Sequence, residues 1–243
     1  MSLAFNIERC AAWLPGVETP QDFTAWAKNT KKIDIENAVM PALKQVPAMQ
    51  RRRLSPFAKI TLATTLDVCA ELASEQIDTV FSSRHGDLQR TALLIENVAE
   101  QEGLSPTQFG LSVHNAVAGL YSIFTKNKAP MTAVAAGEQS FITGLIDAAC
   151  KLKANNLERI LYVYSDYDIP EYYKPYVQSG ECACSIALLL SATAGTVCEL
   201  IQTEQVSEDD CYQPLAFLAS YFGDSTECKL NSGRSIWTLS IGK

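Results

Sequence analysis

Apolar positions along the chain fall into two periods, and the places where one period gives way to the other predict alternating strands and helices. Residues 3–8 read as a short strand. A long helix is expected over 57–75, opened by Ser55-Pro56, where the missing proline N–H does no harm. IDTVFS at 77–82 is a buried strand candidate, and 87–102 places Leu88, Leu93, Leu94, Ile95 and Val98 at helical spacing until Gly103 stops it. A mostly apolar helix at 114–125, a strand at 131–136, a helix at 138–154 and a strand at 159–165 continue the series. After Pro170 and a loop holding Tyr172, Tyr173 and Tyr176, residues 183–190 and 196–202 read as two strands that can pair as a hairpin around SATAG. The tail 211–243 carries Phe217, Tyr221, Phe222 and Trp237 and is apolar enough to pack on the same core. The order is that of a layered α/β sheet, with neither internal repeats nor a linker to a second domain.

Composition narrows the class. A chain of 243 residues, 47% hydrophobic, with mean hydropathy +0.01 is expected to be a soluble globular protein. Glu8 and Arg9 interrupt its first apolar stretch, so no signal peptide is expected. No later run reaches membrane-spanning length, and the location expected is the cytoplasm, without membrane insertion. Eight cysteines scattered through apolar surroundings fit buried thiols in a reducing compartment.

A net charge of −7 argues against nucleic acid as a partner. The charge is nevertheless uneven. Lys28, Lys31, Lys32, Lys44, Arg51, Arg52, Arg53 and Lys59 lie early, whereas Glu204, Glu208, Asp209 and Asp210 cluster late. Arg51, Arg52 and Arg53 are candidates for docking an acidic carrier protein.

The usual chemical motifs are missing. The chain has no GxGxxG, no GxxxxGK[ST], no GxSxG, no HExxH and no CxxC, and neither a cofactor nor a metal is expected. Cys182 and Cys184 would share one face of a strand, but two thiols without further ligands make half a zinc site. Ser112 and His114 are two residues apart and do not face each other on a helix. His85 is the one other histidine.

The most informative stretch is PMTAVAAGEQSFITGLIDAA at 130–149, in which a strand runs through a tight turn into a helix. Such an elbow holds one side chain at a helix N-terminus, where free N–H groups and the dipole stabilise a thiolate or oxyanion. Here the place is held by Glu138 and Gln139, neither of which attacks a thioester well.

The run from Ser105 to Ala149 resembles the segment leading into the nucleophile elbow of β-ketoacyl synthases of the thiolase fold. RRRLSPFAKITLATTLDVC at 51–69, VFSSRHGDLQRT at 80–91, RILYVYSD at 159–166 and GECACSIALLLSA at 180–192 resemble that family's neighbouring pieces in the same order. The resemblance spans most of residues 1–205. It implies a layered α-β-α, thiolase-like fold containing the N-terminal half alone, with 206–243 as a C-terminal extension packing on the same core.

Two departures shape the functional expectation. The position of the family's cysteine falls on Glu138 or Gln139, and the family's decarboxylating histidines and supporting lysine belong to a second half that has no counterpart here. Neither His85 nor His114 maps onto them. Decarboxylative condensation needs a thiolate and donors for an enolate, so a self-sufficient synthase is not expected.

The chain resembles instead the chain-length-factor partner of two-subunit ketosynthases, in the short form associated with aryl polyene biosynthesis, a fatty-acid-like polyketide assembly. The resemblance implies a heterodimer, or a dimer of heterodimers, with a complete β-ketoacyl-ACP synthase, served by acyl carrier protein. The interface expected is the strand before the elbow, with Met131, Thr132, Ala133, Val134, Ala135 and Asn115 as candidates. Leu120, Phe124, Phe141 and Leu145 are candidates for limiting chain length in the partner's tunnel. Two other functions are consistent with the residues: a malonyl-carrier decarboxylase or thioesterase using Glu138 as a base, and a carrier-docking scaffold. The missing second half disfavours the former and the retained elbow the latter.

Overall fold

The computed structural model describes residues 1–72, 76–178, 180–203, 211–233 and 235–243. Among them run eight strands, β1 (Ser2–Trp13), β2 (Thr79–Ser82), β3 (Met131–Val134), β4 (Arg159–Asp166), β5 (Cys184–Ser191), β6 (Thr196–Thr203), β7 (Glu227–Asn231) and β8 (Ile236–Ile241). The helices are α1 (Pro20–Ala27), α2 (Ala48–Arg51), α3 (Pro56–Val68), α4 (Leu88–Ala99), α5 (Pro106–Ser112), α6 (Ala116–Thr125), α7 (Ser140–Ala154) and α8 (Gln213–Phe222). The strands make one mixed sheet in the order β3-β2-β4-β5-β1-β6-β8-β7.

The β3-β2-β4 portion is parallel and the rest antiparallel. Parallel neighbours require crossovers. Helices α4, α5 and α6 connect β2 to β3, and α7 connects β3 to β4.

Strands β2 and β5 are buried at every position, which is why they read as unbroken apolar runs. Alternate side chains separate into two cores. Val80, Ile160, Tyr162, Ile186 and Leu188 pack with α7 and α8 on one face, and Phe81, Leu161, Val163, Ala187 and Leu189 pack with α3 and α6 on the other. Ser55 caps α3 by accepting the Ala58 N–H at 3.1 Å, with Pro56 in the first turn.

The hairpin expected between 183–190 and 196–202 does not form. β1 lies between β5 and β6, so Asn6 stands opposite Ser191 on one side and Val197 on the other. The SATAG segment steps across β1, where a bulge falls between Ile7 and Arg9. Gly195 makes this step possible: its φ is +104° and a Cβ there would sit 2.2 Å from the Ile7 carbonyl oxygen.

β1 extends well past the predicted 3–8 because residues 9–13 continue the antiparallel ladder with β5 after the pairing to β6 stops at Ile7. Helix α3 ends at Val68 and gives way to a 3-10 turn at Ala70–Leu72; residues 73–75, predicted as its end, lie outside the described residues. The late acidic cluster of Glu204, Glu208, Asp209 and Asp210 lies outside them too. The tail contributes α8 against β7 and two further strands to the same sheet. None of the described helices is long and apolar enough to cross a membrane.

Candidate functional site at the strand-to-helix elbow

The elbow is tighter than its sequence suggests. β3 stops at Val134, a 3-10 turn occupies Gly137–Gln139, and α7 begins at Ser140. Ser140 closes the turn by accepting the Ala136 N–H at 3.0 Å and donating to the Gly137 carbonyl at 2.7 Å. The first turn of α7 is then fastened to the sheet, with Ser82 Oγ donating to the Ser140 carbonyl and Tyr162 OH to the Phe141 carbonyl, each at 2.5 Å. Gly144 permits this approach, since a Cβ there would lie 2.7 Å from both Ser82 Cβ and Tyr162 Cε2.

Glu138 and Gln139 leave the turn in different directions. Glu138 is exposed and its Oε1 lies 3.3 Å from Arg84 Nη2. Gln139 is half-buried, and its amide lies against Gly233 in the turn between β7 and β8.

Arg84 belongs to a polar cluster at the carboxyl ends of β2 and β4. Asp166, 1% exposed, accepts from Ser83 Oγ (2.7 Å), the Arg84 N–H (2.9 Å), the His85 N–H (2.9 Å) and Tyr164 OH (2.6 Å). One buried carboxylate therefore fixes the whole loop after β2. The loop in turn presents Arg84 and His85 to Glu181, whose carboxylate takes Arg84 Nη1 at 2.9 Å and His85 Nε2 at 2.5 Å. Arg84 thus joins the elbow to the segment before β5.

Among the described residues no group of three metal-binding side chains occurs. Burial pushes the Cys182 thiol up to about 11 and the Cys184 thiol well above its usual value, so neither supplies a thiolate near neutral pH. Cys184 is buried in the strand core, as expected, while Cys182 precedes the strand. Tyr164 and Tyr212 are likewise pushed well above the usual phenol range, by burial first and by neighbouring acids and thiols second. They act here as neutral hydroxyls. Ser112 donates to the Phe109 carbonyl and His114 Nε2 lies 3.0 Å from the Ser83 carbonyl oxygen, so each hydroxyl and ring serves its own backbone partner.

The other predicted residues are spread over the molecule. Met131, Ala133 and Ala135 are exposed and Thr132 and Val134 half-buried along the outer edge of the sheet, with Asn115 exposed just before α6. The four tunnel candidates form two pairs. Leu120 and Phe124 are half-buried against the α3 side, whereas Phe141 and Leu145 are buried in the core beneath α7, on the opposite face. Arg52 and Arg53 are exposed, and Arg51 donates to the Leu43 carbonyl at 3.2 Å.

Asp166, Arg84 and Glu181 went unnoticed in the sequence as site residues. Only Asp166 left a signal there, as an acid following the apolar run 160–164 at the end of its strand.

Residues 23–240 match the family described as β-ketoacyl synthase, N-terminal domain. The chain belongs to that family. Its fold is the thiolase-like ketosynthase fold in its N-terminal-half form. A chain from the complex of the Xenorhabdus doucetiae ketosynthase ApeO with its chain length factor ApeC is similar over 98% of this chain and 99% of its own length, at 28% identity and a TM-score of 0.84. The ishigamide ketosynthase/chain length factor is similar at 15% identity and a TM-score of 0.60, covering 90% of this chain and 74% of that one. For the module 6 ketosynthase of the bacillaene synthase from Bacillus subtilis 168 the values are 12% and 0.60, over 85% of this chain and 42% of the other. The curated proteins contain no match.

Proposed function

We propose that this β-ketoacyl-synthase-like chain is a noncatalytic, chain-length-factor subunit that pairs with a complete β-ketoacyl-ACP synthase and shapes its acyl tunnel in aryl-polyene-type biosynthesis. The observation that carries the reading is the end-to-end likeness to a chain of a ketosynthase–chain length factor complex. The elbow agrees with it. Glu138 sits in an ion pair and Gln139 packs inward, so the family's thiolate has no replacement in the turn.

In this reading residues 1–205 are the synthase-like half and 206–243 its extension. β3 is the pairing strand, with Met131, Thr132, Ala133, Val134, Ala135 and the nearby Asn115 facing the partner. Leu120 and Phe124 on α6 would meet the acyl tunnel, with Phe141 and Leu145 supporting the elbow from the core below. Arg52 and Arg53 would meet the acidic carrier protein, and the complex would work in the cytoplasm.

Native mass spectrometry of the chain co-expressed with a complete ketosynthase tests the pairing. The expected result is a one-to-one complex or a dimer of such pairs, lost in Met131→Arg because the buried, unpartnered charge costs about 3–5 kcal/mol. A lone monomer beside a synthase homodimer would refute the reading. Turnover of malonyl carrier protein by the isolated chain, abolished in Glu138→Ala, would replace it with the decarboxylase.

A further inference from the structure

The N-terminus of α7 is where this architecture would receive an anion or a thioester oxygen, because the first N–H groups of a helix have no partner within it. Here the tail of the chain fills that place. Gln213, 3% exposed and the first residue of α8, accepts the Ile142 N–H through Oε1 at 3.1 Å, and its Nε2 donates to the Asn231 carbonyl in β7. A single amide therefore joins the first turn of α7 to two elements of the tail, and neither end of it is left for a ligand.

Three further contacts close the same region. A Cβ on Gly233 would lie 2.9 Å from Gln139 Nε2, so Gly233 rests directly on the inward side chain of the elbow. Phe217 of α8 meets Phe141 at 5.4 Å between ring centroids. Tyr212 donates to the Cys182 carbonyl at 3.3 Å and lies 3.4 Å from Tyr164 OH, which anchors the start of the tail to the Asp166 cluster.

We propose that Gln213 and Gly233 plug the inward side of this chain's own elbow, so that a thiol restored at position 139 takes up no acyl group, whereas one at the exposed position 138 stays open. Gln213 is a positioning residue in this scheme: it ties the first turn of α7 to the end of β7 and so keeps Gly233 against Gln139. The plug concerns the chain by itself, and its failure would leave the pairing with a ketosynthase untouched.

The test places a thiol on each side of the elbow in the full chain. Glu138→Cys and Gln139→Cys are labelled with iodoacetamide at pH 8, and the rate at each position is read by peptide mass spectrometry. Labelling at 138 is expected to be at least about tenfold faster than at 139, and adding Gln213→Ala to Gln139→Cys should recover about tenfold. Rapid labelling of Gln139→Cys with Gln213 in place would overturn the plug. Hydrogen exchange of the unsubstituted chain decides the matter should the double variant unfold. The Ile142 amide is expected to exchange about a hundredfold or more slowly than an open N-terminal helix amide, and exchange at the open rate would also overturn the proposal.

Discussion

The sheet has two edges, and they are built to opposite purposes. β3, at one end, carries Met131, Thr132, Ala133 and Val134, with no charge and half of its side chains exposed. β7, at the other, turns Glu227 and Lys229 outward while Cys228 and Leu230 go into the core. Charged side chains on an outer strand discourage a further strand from adding, whereas an uncharged edge invites one. The backbone of β3 adds to this. Pro130 and Val134 carbonyls accept from Thr79 and Ser83 of β2 and its following residue, so by alternation the N–H and C=O groups of Met131 and Ala133 point away from the sheet. One edge is finished and the other has a free set of hydrogen-bonding groups.

Ala133→Pro strikes that difference hardest. It removes an outward-pointing donor while the β2–β3 ladder keeps its own bonds. A ketosynthase complex formed through β3 is expected to weaken at least about a hundredfold, roughly 3 kcal/mol, with the thermal midpoint of the isolated chain nearly unchanged. Isothermal titration against the purified synthase reads the affinity. Full affinity in this variant would mean that β3 is not the pairing strand.

The parts of the sheet were unequally legible in the sequence. β2 and β4 show as apolar runs because both of their faces are covered, and the elbow shows because the Gly-Glu-Gln turn interrupts a strand before an apolar helix. What failed was nonlocal. Nothing in residues 183–202 reports that β1 intervenes between β5 and β6, since local pattern favours the short hairpin. α5 escaped notice because none of its residues is buried, leaving no apolar stripe to read. The site's polar contacts cross still larger gaps. Arg84 and Glu181 are 97 residues apart, and Gln213 and Ile142 are 71 apart. Spacing rules reach only a few residues along the chain.

The finished edge also has a chemical weakness that the open edge lacks. Burial pushes the Cys228 thiol of β7 up to about 12 from an ordinary value of 9.0, while β3 has no ionisable side chain. A thiol that holds its proton more tightly in the fold than in the unfolded chain contributes fully below about pH 9, and that contribution is lost as pH rises toward 12. Denaturant midpoints taken between pH 8 and 10.5 should therefore fall, at about 1.4 kcal/mol per pH unit above 9 for this one thiol. Cys228→Ala starts from lower stability because it leaves a small cavity, but its slope should be shallower by that amount. Equal slopes for the two chains would place the alkaline loss elsewhere.

The smallest effect tests the charges on β7 themselves. Lys229 is exposed on a strand whose inward residues are already satisfied by the core, so Lys229→Val should change folding stability by no more than about 0.5 kcal/mol. Its consequence lies in association. With Lys229 gone, the outer side of β7 becomes more like β3, and the isolated chain is expected to gain a weak, concentration-dependent association through β7, visible by sedimentation velocity as self-association beyond that of the unsubstituted chain. Binding to the ketosynthase should be unaffected, since β7 and β3 stand at opposite ends of the sheet. A Lys229→Val chain that associates no more than the unsubstituted one would show that edge charge is not what closes β7, and would shift the explanation to the packing of α8 against that strand.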